Sequence, residues 1–321
     1  MPGCRCNASL HGIDHMNPQP KKNMAASVKQ RLLNLSKERG EDFNFILGRY
    51  AAERFLFRLS RSAYGREFTL KGAMLFHLRE MRIPYRPTHD LDLLGTGTFD
   101  IARMETVFKS ICRVETTEDG LVFPEDLVRG EEIREHDEYL GIRLRLQARM
   151  GSARVPLQVD VGFGDAVTPG LKREKLLTLL DLPAPSMPVY PWETVVAEKF
   201  QAMAELGMDN SRMKDYFDIH YLAKTQPFSG ATLAQAIQKT FARRKTALPE
   251  GMPTGLLPEF AEDAVKQTQW NAFIQKLRTD EITVSLDEVI NLIKVFLSFP
   301  VEALRKQKPF KKSWKPGGPW E

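Results

Sequence analysis

Apolar residues change their spacing along this chain, from a helical repeat to the alternation of strands and back again. Residues 24–37 and 43–59 place apolar side chains three or four positions apart, which predicts two helices. Short alternating or continuous apolar runs, bounded by turn residues, then predict strands. These strands cover residues 68–70, the segment around Asp90, 121–123, 141–150 and 155–161, with helices at 74–81 and 101–111 among them. Helical spacing returns at residues 192–206, 211–224, 231–243 and 285–299.

The order of these elements and local composition divide the chain into four predicted regions. Residues 1–23 lack a helical or strand pattern and are predicted to be a disordered leader. Residues 24–185 should form an α/β domain, and residues 186–300 should form a helical domain. Four prolines within residues 183–191 predict a linker between the two. Residues 301–321 are basic and contain prolines and glycines, which predicts a flexible tail.

Charge and composition narrow the class of protein. The 321 residues are 42% hydrophobic and 27% charged, which is typical of a globular protein and not of a disordered one. No apolar run approaches the roughly 18 residues that span a bilayer, so no membrane partner is expected. The leader has no apolar signal segment, and the chain has three cysteines, which together favour the cytoplasm.

The net charge of +5 is concentrated at the two ends of the chain, which leaves residues 24–300 near neutral. Lysines and an arginine alternate in the tail with Phe310, Trp314 and Trp320. Such a segment could follow a phosphate backbone and stack on bases. It could equally be a solubilising terminus without a ligand.

Two carboxylates spaced two residues apart carry the strongest chemical signal. Asp90 and Asp92 alternate with Leu91 and Leu93, so the segment is predicted to be a strand with both acids on one face, roughly 7 Å apart. Like charges at that distance resist joint ionisation unless a cation neutralises them. Mg²⁺ is commonly held by one or two carboxylates and substrate phosphates, so this pattern favours a Mg²⁺-nucleotide site. The alternative is a sheet edge with two solvated aspartates.

Two further features of the amino-terminal half extend this hypothesis. Lys71 and Gly72 form a turn between a predicted strand and a predicted helix, where a glycine lets the backbone approach a ligand and a helix N-terminus binds phosphate oxygens. Asp160 lies in a later strand and could be a third metal ligand or the base that activates a hydroxyl. Most such glycines only permit a tight turn, and Asp160 could simply end its strand.

The helical half contributes charged residues on two predicted helices. Lys199 could offset the charge that builds on the β- and γ-phosphates of a nucleotide. Arg212, Lys214 and Asp215 open the next helix, and Asp215 shares a face with Asp218 by their spacing. Lys199 could instead be a solvated helix lysine, and the two cations could be exposed partners of Asp218.

Five ordered segments between residues 27 and 222 resemble the AbiEii/AbiGii toxin family of nucleotidyltransferases, within the DNA polymerase β-type superfamily. They cover residues 70–76, 86–95, 157–165, 198–203 and 210–218. The resemblance implies an α+β fold, in which a nucleotidyltransferase-type mixed sheet with helices precedes a mainly α-helical C-terminal domain. It also implies the toxin of a type IV toxin–antitoxin or phage abortive-infection pair, with its antitoxin encoded nearby.

The resemblance implies roles for individual residues as well. Similar proteins use an NTP with Mg²⁺ (or Mn²⁺), and several extend the 3′ end of tRNA. The implied metal ligands are Asp90, Asp92 and Asp160, and Lys199 and Asp215 complete the catalytic set. The implied nucleotide-binding residues are Lys71, Gly72, Thr88, Lys199, Arg212 and Lys214. Ala73 departs from the superfamily, which usually has a second glycine or a serine at that position.

The function expected from these features is Mg²⁺-dependent transfer of NMP from an NTP to an acceptor such as the 3′ end of tRNA. The main alternative is a non-catalytic nucleotide-binding or protein-interaction module on the same fold. A DNA-binding regulator that acts through the basic tail is a third hypothesis, but the sequence has no helix-turn-helix or zinc signature.

Overall fold

The computed structural model of the protein describes residues 23–80, 88, 90–116, 118–135, 139–277 and 284–321. Residues 1–22 of the predicted leader (1–23) therefore lie outside the described residues, as do His89 and the segment 81–87. The amino-terminal elements are α1 (Met24–Arg39), α2 (Phe43–Arg61), β1 (Phe68–Lys71), α3 (Gly72–Glu80), β2 (Asp90–Gly95), α4 (Ile101–Cys112), β3 (Arg129–Glu135), β4 (Tyr139–Met150) and β5 (Ala153–Phe163). The later elements are β6 (Lys172–Lys175), β7 (Ser186–Val189), α5 (Trp192–Leu206), α6 (Met213–Thr225), β8 (Phe228–Ser229), α7 (Gly230–Arg243), α8 (Pro258–Glu262), α9 (Ala264–Lys276), α10 (Leu286–Arg305) and β9 (Ser313–Trp314).

The first seven strands form one mixed sheet, in the order β3-β4-β5-β2-β1-β7-β6. The pairs β2–β5 and β1–β7 are parallel, and the remaining neighbours are antiparallel. This mixed sheet, combined with helices and followed by a mainly helical region, confirms the expected α+β fold. The parallel pair β2–β5 lies at the centre of the sheet, so the predicted catalytic strand is flanked on both sides.

The two faces of the sheet differ in burial. Along β4, Ile142, Leu144 and Leu146 are buried, and they alternate with more exposed arginines. Helices α1 and α4 contact β4, and α2 contacts the neighbouring strand β5. Apolar burial of this kind is the main favourable term in folding, so it fixes which strand face turns inward.

The sheet extends beyond the predicted boundary at residue 185. Strand β7 lies within the proline-rich segment that the sequence predicts to be a linker, and it pairs with both β1 and β6. Met187 and Val189 are buried, and they alternate with Ser186 and Pro188. The segment is therefore part of the sheet, because its alternating apolar side chains reach the core despite the prolines.

The C-terminal segment is packed against the helical region, which corrects the expectation of a flexible tail. Strand β9 pairs with β8, and Trp314 and Trp320 are only 1% and 6% exposed. Their indole N–H groups donate hydrogen bonds to the carbonyl oxygens of Ala223 (2.7 Å) and Phe296 (2.9 Å). Burial of these aromatic side chains offsets the ordering of a segment rich in Lys, Pro and Gly. Trp314 is therefore not available to stack on a base, which was one of the two alternatives that the sequence left open for this segment.

Among the described helices, none combines the length and the hydrophobicity that crossing a bilayer requires.

Candidate active site

A cleft of about 440 Å³ lies between the central strands of the sheet and helices α5 and α6. Eight of the predicted site residues line it, from both halves of the chain. They are Lys71, Gly72, Asp92, Asp160, Lys199, Arg212, Lys214 and Asp215. The tertiary fold therefore brings together five sequence segments that are up to about 140 residues apart, as a shared site requires.

Gly72 and Asp92 are in direct contact at the base of this cleft. Strand β1 opposes β2 with Lys71 in register with Asp92, and Gly72 follows as the first residue of α3. Gly72 has a φ of +71°, and a Cβ added to it would lie 1.9 Å from Oδ2 of Asp92. A side chain at this position would meet both an unfavourable backbone conformation and the space that the carboxylate fills, which favours glycine. The acid thereby lies beside a helix N-terminus, which favours negative charge.

Asp92 and Asp160 are direct neighbours across the parallel strands β2 and β5. They are register partners, and adjacent strands are about 4.8 Å apart, so their carboxylates line the same side of the cleft. Mg²⁺ is typically held by one or two carboxylates and by substrate phosphates, and this pair supplies such oxygen donors. Within the described residues, no group of three or more His, Cys, Asp or Glu side chains is placed to hold a metal by itself. Asp92 and Asp160 thus supply two of the oxygen donors that a metal bound with a triphosphate would use.

Asp160 is also held by an arginine that the sequence did not single out. Arg143 lies opposite it on β4 and donates two hydrogen bonds of 2.8 Å, from Nε to Oδ1 and from Nη2 to Oδ2. These bonds to the Asp160 carboxylate raise the pKa of Arg143 above its usual value. A bidentate pair of this kind fixes the orientation of the carboxylate. The role of Asp160 as a metal ligand or base stays a prediction.

A second unforeseen group holds the Lys71 side chain. Its ammonium group lies 2.8 Å from Oδ2 of Asp165, which also accepts a hydrogen bond of 2.9 Å from the Tyr190 hydroxyl. Burial by itself would raise the pKa of Asp165, but Lys71 and these hydrogen bonds outweigh it and hold that pKa below its usual value. Burial, followed by the carboxylates of Glu198 and Asp165, raises the pKa of Tyr190 well above its ordinary value. The hydroxyl therefore stays protonated and the carboxylate stays charged.

Lys199 contacts two fully buried carboxylates of α6. Its Nζ lies 2.6 Å from Oδ1 of Asp215 and 2.9 Å from Oδ2 of Asp218. Nε of Arg212 lies 2.7 Å from the other oxygen of Asp215. Burial alone would raise the pKa of Asp215, but Lys199 and then Arg212 lower it below its usual value. The cluster joins α5 to α6 and places cations on the wall of the cleft that faces the strands.

Asp90 and Thr88 lie at the margin of this arrangement. Asp90 is the first residue of β2 and is exposed, in register with Gln158. Thr88 is half-buried, and neither residue is among those that line the cleft. Asp90 nevertheless shares the strand face of Asp92, as the spacing predicted.

Polar residues that line the cleft but were not singled out from the sequence include Arg143, Asp165, Tyr190 and Arg244. Asp165 belongs to the same segment as Asp160, so its carboxylate was a visible signal without an assigned role. Tyr190 lies in the segment predicted to be a linker. Arg143 becomes recognisable only when the register of β4 against β5 is known.

Comparisons with known proteins identify the family of this chain and proteins of similar fold. Residues 54–292 match the family described as "Nucleotidyl transferase AbiEii toxin, Type IV TA system". No curated protein matches the sequence significantly. The solved structure of MenT4, a nucleotidyltransferase toxin from Mycobacterium tuberculosis H37Rv, is similar in fold, with a TM-score of 0.51 and 14% identity over 88% of this chain and 99% of that chain. JHP933 from Helicobacter pylori has a TM-score of 0.44 and 15% identity, over 79% of this chain and 90% of the other.

Sequence identity this low establishes similarity of fold alone, whereas the family match covers well over half of the chain. It includes every residue that lines the cleft. The chain belongs to the AbiEii family of nucleotidyltransferase toxins of type IV toxin–antitoxin systems.

Proposed function

We propose that this toxin transfers NMP from an NTP to a hydroxyl group of an RNA acceptor, the 3′ end of tRNA being the acceptor we favour. The observation that carries the proposal is the pair Asp92 and Asp160, in register on parallel strands beside the Gly72 turn. Cations of α5 and α6 line the other side of the same cleft. One wall thus suits a metal and the other suits a triphosphate.

The proposed reaction forms one bond and breaks one. The acceptor oxygen bonds to the α-phosphorus of the NTP, the bond from that phosphorus to the bridging oxygen breaks, and pyrophosphate leaves. The hydroxyl proton passes to solvent or to a carboxylate at the site. Arg212, Lys214 and Lys199 line the cleft, and in this proposal they offset the negative charge that develops on pyrophosphate. When bound, Mg²⁺ or Mn²⁺ would lower the charge repulsion among the carboxylates and the triphosphate.

The cellular role follows from the family. A type IV toxin implies a cognate antitoxin, and we infer that this pair acts in the cytoplasm, where the tRNA pool would be its target. Arrest of translation through modified tRNA would suit a role in abortive infection by phage. The protein would thus modify tRNA at the cleft and thereby regulate translation in the cell.

Incorporation of label tests the chemical proposal directly. Purified protein is incubated with each α-labelled NTP, Mg²⁺ and total RNA, and the products are separated on a denaturing gel. We expect label in the tRNA band with the parent protein and with Asp181→Asn, an exposed control outside the cleft, but not with Asp92→Asn. Label in protein would contradict an RNA acceptor. Nucleotide binding without any transfer would favour the non-catalytic alternative.

A further inference from the structure

The sheet face that bears Asp92 and Asp160 also bears a series of arginines. Five arginines of β3, β4 and β5 lie on it, against only Glu131 and Asp160 from the described side chains of the same three strands. They are Arg129, Arg143, Arg145, Arg149 and Arg154. The β3–β5 part of this face therefore carries more positive than negative side chains, whereas Asp90 and Asp92 of β2 lie on the same face nearer the cleft.

The strand register places these arginines together. Arg129 opposes Arg145 across β3 and β4, while Arg143 opposes Asp160 and Arg149 opposes Arg154 across β4 and β5. Register partners project from the same face, and residues two apart along a strand do so as well. The intervening residues of β4 are buried on the opposite face. The arginine face is therefore the side of the sheet that points away from the apolar core.

Arg149 and Arg154 form an arrangement that costs stability. Both are exposed and directly opposed at the end of the β4–β5 hairpin, where like charges destabilise a strand pair. Within the part of the chain that the structure describes, neither guanidinium forms an ion pair with an acidic side chain. Arg145, by contrast, contacts Glu131 at 2.6 Å. Two opposed arginines of this kind suit a bound polyanion, because an anion between them removes the repulsion.

The arginine face is continuous with the active-site cleft. Arg143 lines the cleft, and Arg149 lies six residues further along β4, a distance of about 20 Å at a strand rise of about 3.4 Å per residue. A bound strand could therefore extend from Arg149 and Arg154 toward Asp92 over several nucleotides. Arginine also suits phosphate recognition, because its planar group binds two oxygens at once.

We propose that the arginine face binds the phosphate backbone of the RNA acceptor and directs its 3′ end into the cleft. The inference rests on the proposed function, since it takes the acceptor to be RNA. It assigns RNA binding to the sheet and not to the C-terminal lysines, where the Trp314 and Trp320 side chains are buried and cannot stack on bases. The arginine face and the C-terminal lysines are therefore alternative RNA-binding surfaces, and their contributions to RNA affinity can be compared directly.

Two double variants, each of which removes two positive charges, distinguish RNA binding by the arginine face from RNA binding by the C-terminal lysines. Arg149→Gln with Arg154→Gln removes two positive charges from the arginine face, and Lys308→Gln with Lys311→Gln removes two from the exposed tail. Binding of fluorescent single-stranded RNA and of total tRNA is measured between 50 and about 200 mM salt. The arginine double variant should bind RNA more weakly and lower the salt slope by about 1.4, at about 0.7 per phosphate contact in single strands. The lysine double variant should bind like the parent.

Further measurements exclude indirect effects. Thermal unfolding of the arginine double variant should match the parent or occur at a higher temperature, because repulsion has been removed. Binding of a fluorescent NTP analogue should not change. Arg149→Lys with Arg154→Lys keeps the charge and should retain most of the salt slope. The single variants Arg149→Gln and Arg154→Gln, each lowering the slope by about half as much, provide the same test should the double variant not fold.

The outcomes distinguish this inference from the proposed function. Loss of RNA binding in the arginine variant, with no nucleotide transfer by any form, would support the arginine face and contradict the enzymatic proposal. Unchanged RNA affinity and salt slope would overturn the inference, even if transfer is observed. Unchanged RNA affinity combined with lost binding of a purified acidic antitoxin would also overturn it, and would assign the face to protein contact.

Discussion

The carboxylate of Asp92 fills the space in which any side chain at position 72 would lie. A Cβ on Gly72 would be 1.9 Å from Oδ2 and 2.6 Å from Cγ of Asp92. The glycine of the proposed phosphate turn and the acid of the proposed metal site are therefore one structural unit. A change at either position moves the other, because β1 and β2 are paired at this point.

Gly72→Ala should lower nucleotide transfer by about 100-fold, since a misplacement of about 1 Å at a reacting centre can cost that much. The methyl group must displace the Asp92 carboxylate, and the backbone conformation adds about 1–2 kcal/mol of strain. Gly40→Ala is the matched control, because Gly40 has a φ of +65° with nothing within 4 Å of the added Cβ. Labelled-NTP incorporation and thermal unfolding are compared for both. Equal activity of the two variants would contradict the role of the contact.

Lys199→Ala should lower both transfer and stability. The change removes the ammonium group that the buried Asp215 and Asp218 share, and such losses cost about 3–5 kcal/mol. The double variant Lys199→Ala with Asp218→Asn should recover much of the free energy of unfolding that Lys199→Ala loses, but not the activity. Denaturant unfolding and transfer rates of the single and double variants separate the two roles.

Lys199→Arg keeps the positive charge and should retain part of the transfer rate, because its geometry differs from that of lysine. If the double variant of the preceding experiment regains full activity, Lys199 only stabilises the helical cluster. Asp218→Asn alone is the control and should transfer nucleotide at close to the parent rate.

Divalent metal should bind weakly to the protein alone and more tightly with nucleotide. Asp92 and Asp160 supply two carboxylates, and we expect phosphate oxygens and waters to complete the coordination. Mn²⁺ binding is followed by electron paramagnetic resonance with and without a non-hydrolysable NTP analogue, where we expect the analogue to increase affinity at least about tenfold. Asp92→Asn should abolish that increase, and chelation should stop transfer. Tight Mn²⁺ binding without nucleotide would contradict this expectation.

His220 should make stability depend on pH in the mildly acidic range. Burial, assisted by Lys224, lowers its pKa to about 4 from an ordinary 6.5. Between these values the unfolded chain binds a proton that the folded chain does not, so stability is complete above about pH 6.5 and is lost as the pH falls toward 4. The loss from this group is on the order of 3 kcal/mol. Urea unfolding gives the free energy of unfolding at several pH values. Its loss between pH 7 and pH 4 should be smaller in His220→Gln than in the parent, and an equal loss would contradict the assignment.

Helices and central strands were well predicted, because their periodicity is local. The helix at residues 192–206 has the predicted bounds, and β2 begins at Asp90 as the alternation indicated. Strand β3 was missed because its sequence, Arg-Gly-Glu-Glu-Ile-Arg-Glu, is mostly polar, as befits a strand at the sheet edge. The strand expected at residues 121–123 is reduced to a single bridge between Val122 and Arg149.

The sequence by itself determined the candidate site residues that we propose to carry the chemistry, since carboxylates two apart on a strand and a glycine before a helix are local patterns. It also determined the family, through the order of those patterns. Only the tertiary structure decided which groups meet: Asp160 with Arg143, Lys71 with Asp165, and Lys199 with Asp218. These pairs depend on strand register and helix packing between distant segments. Burial of the apolar core sets both the strand register and the helix packing, so a local sequence pattern does not predict these pairs.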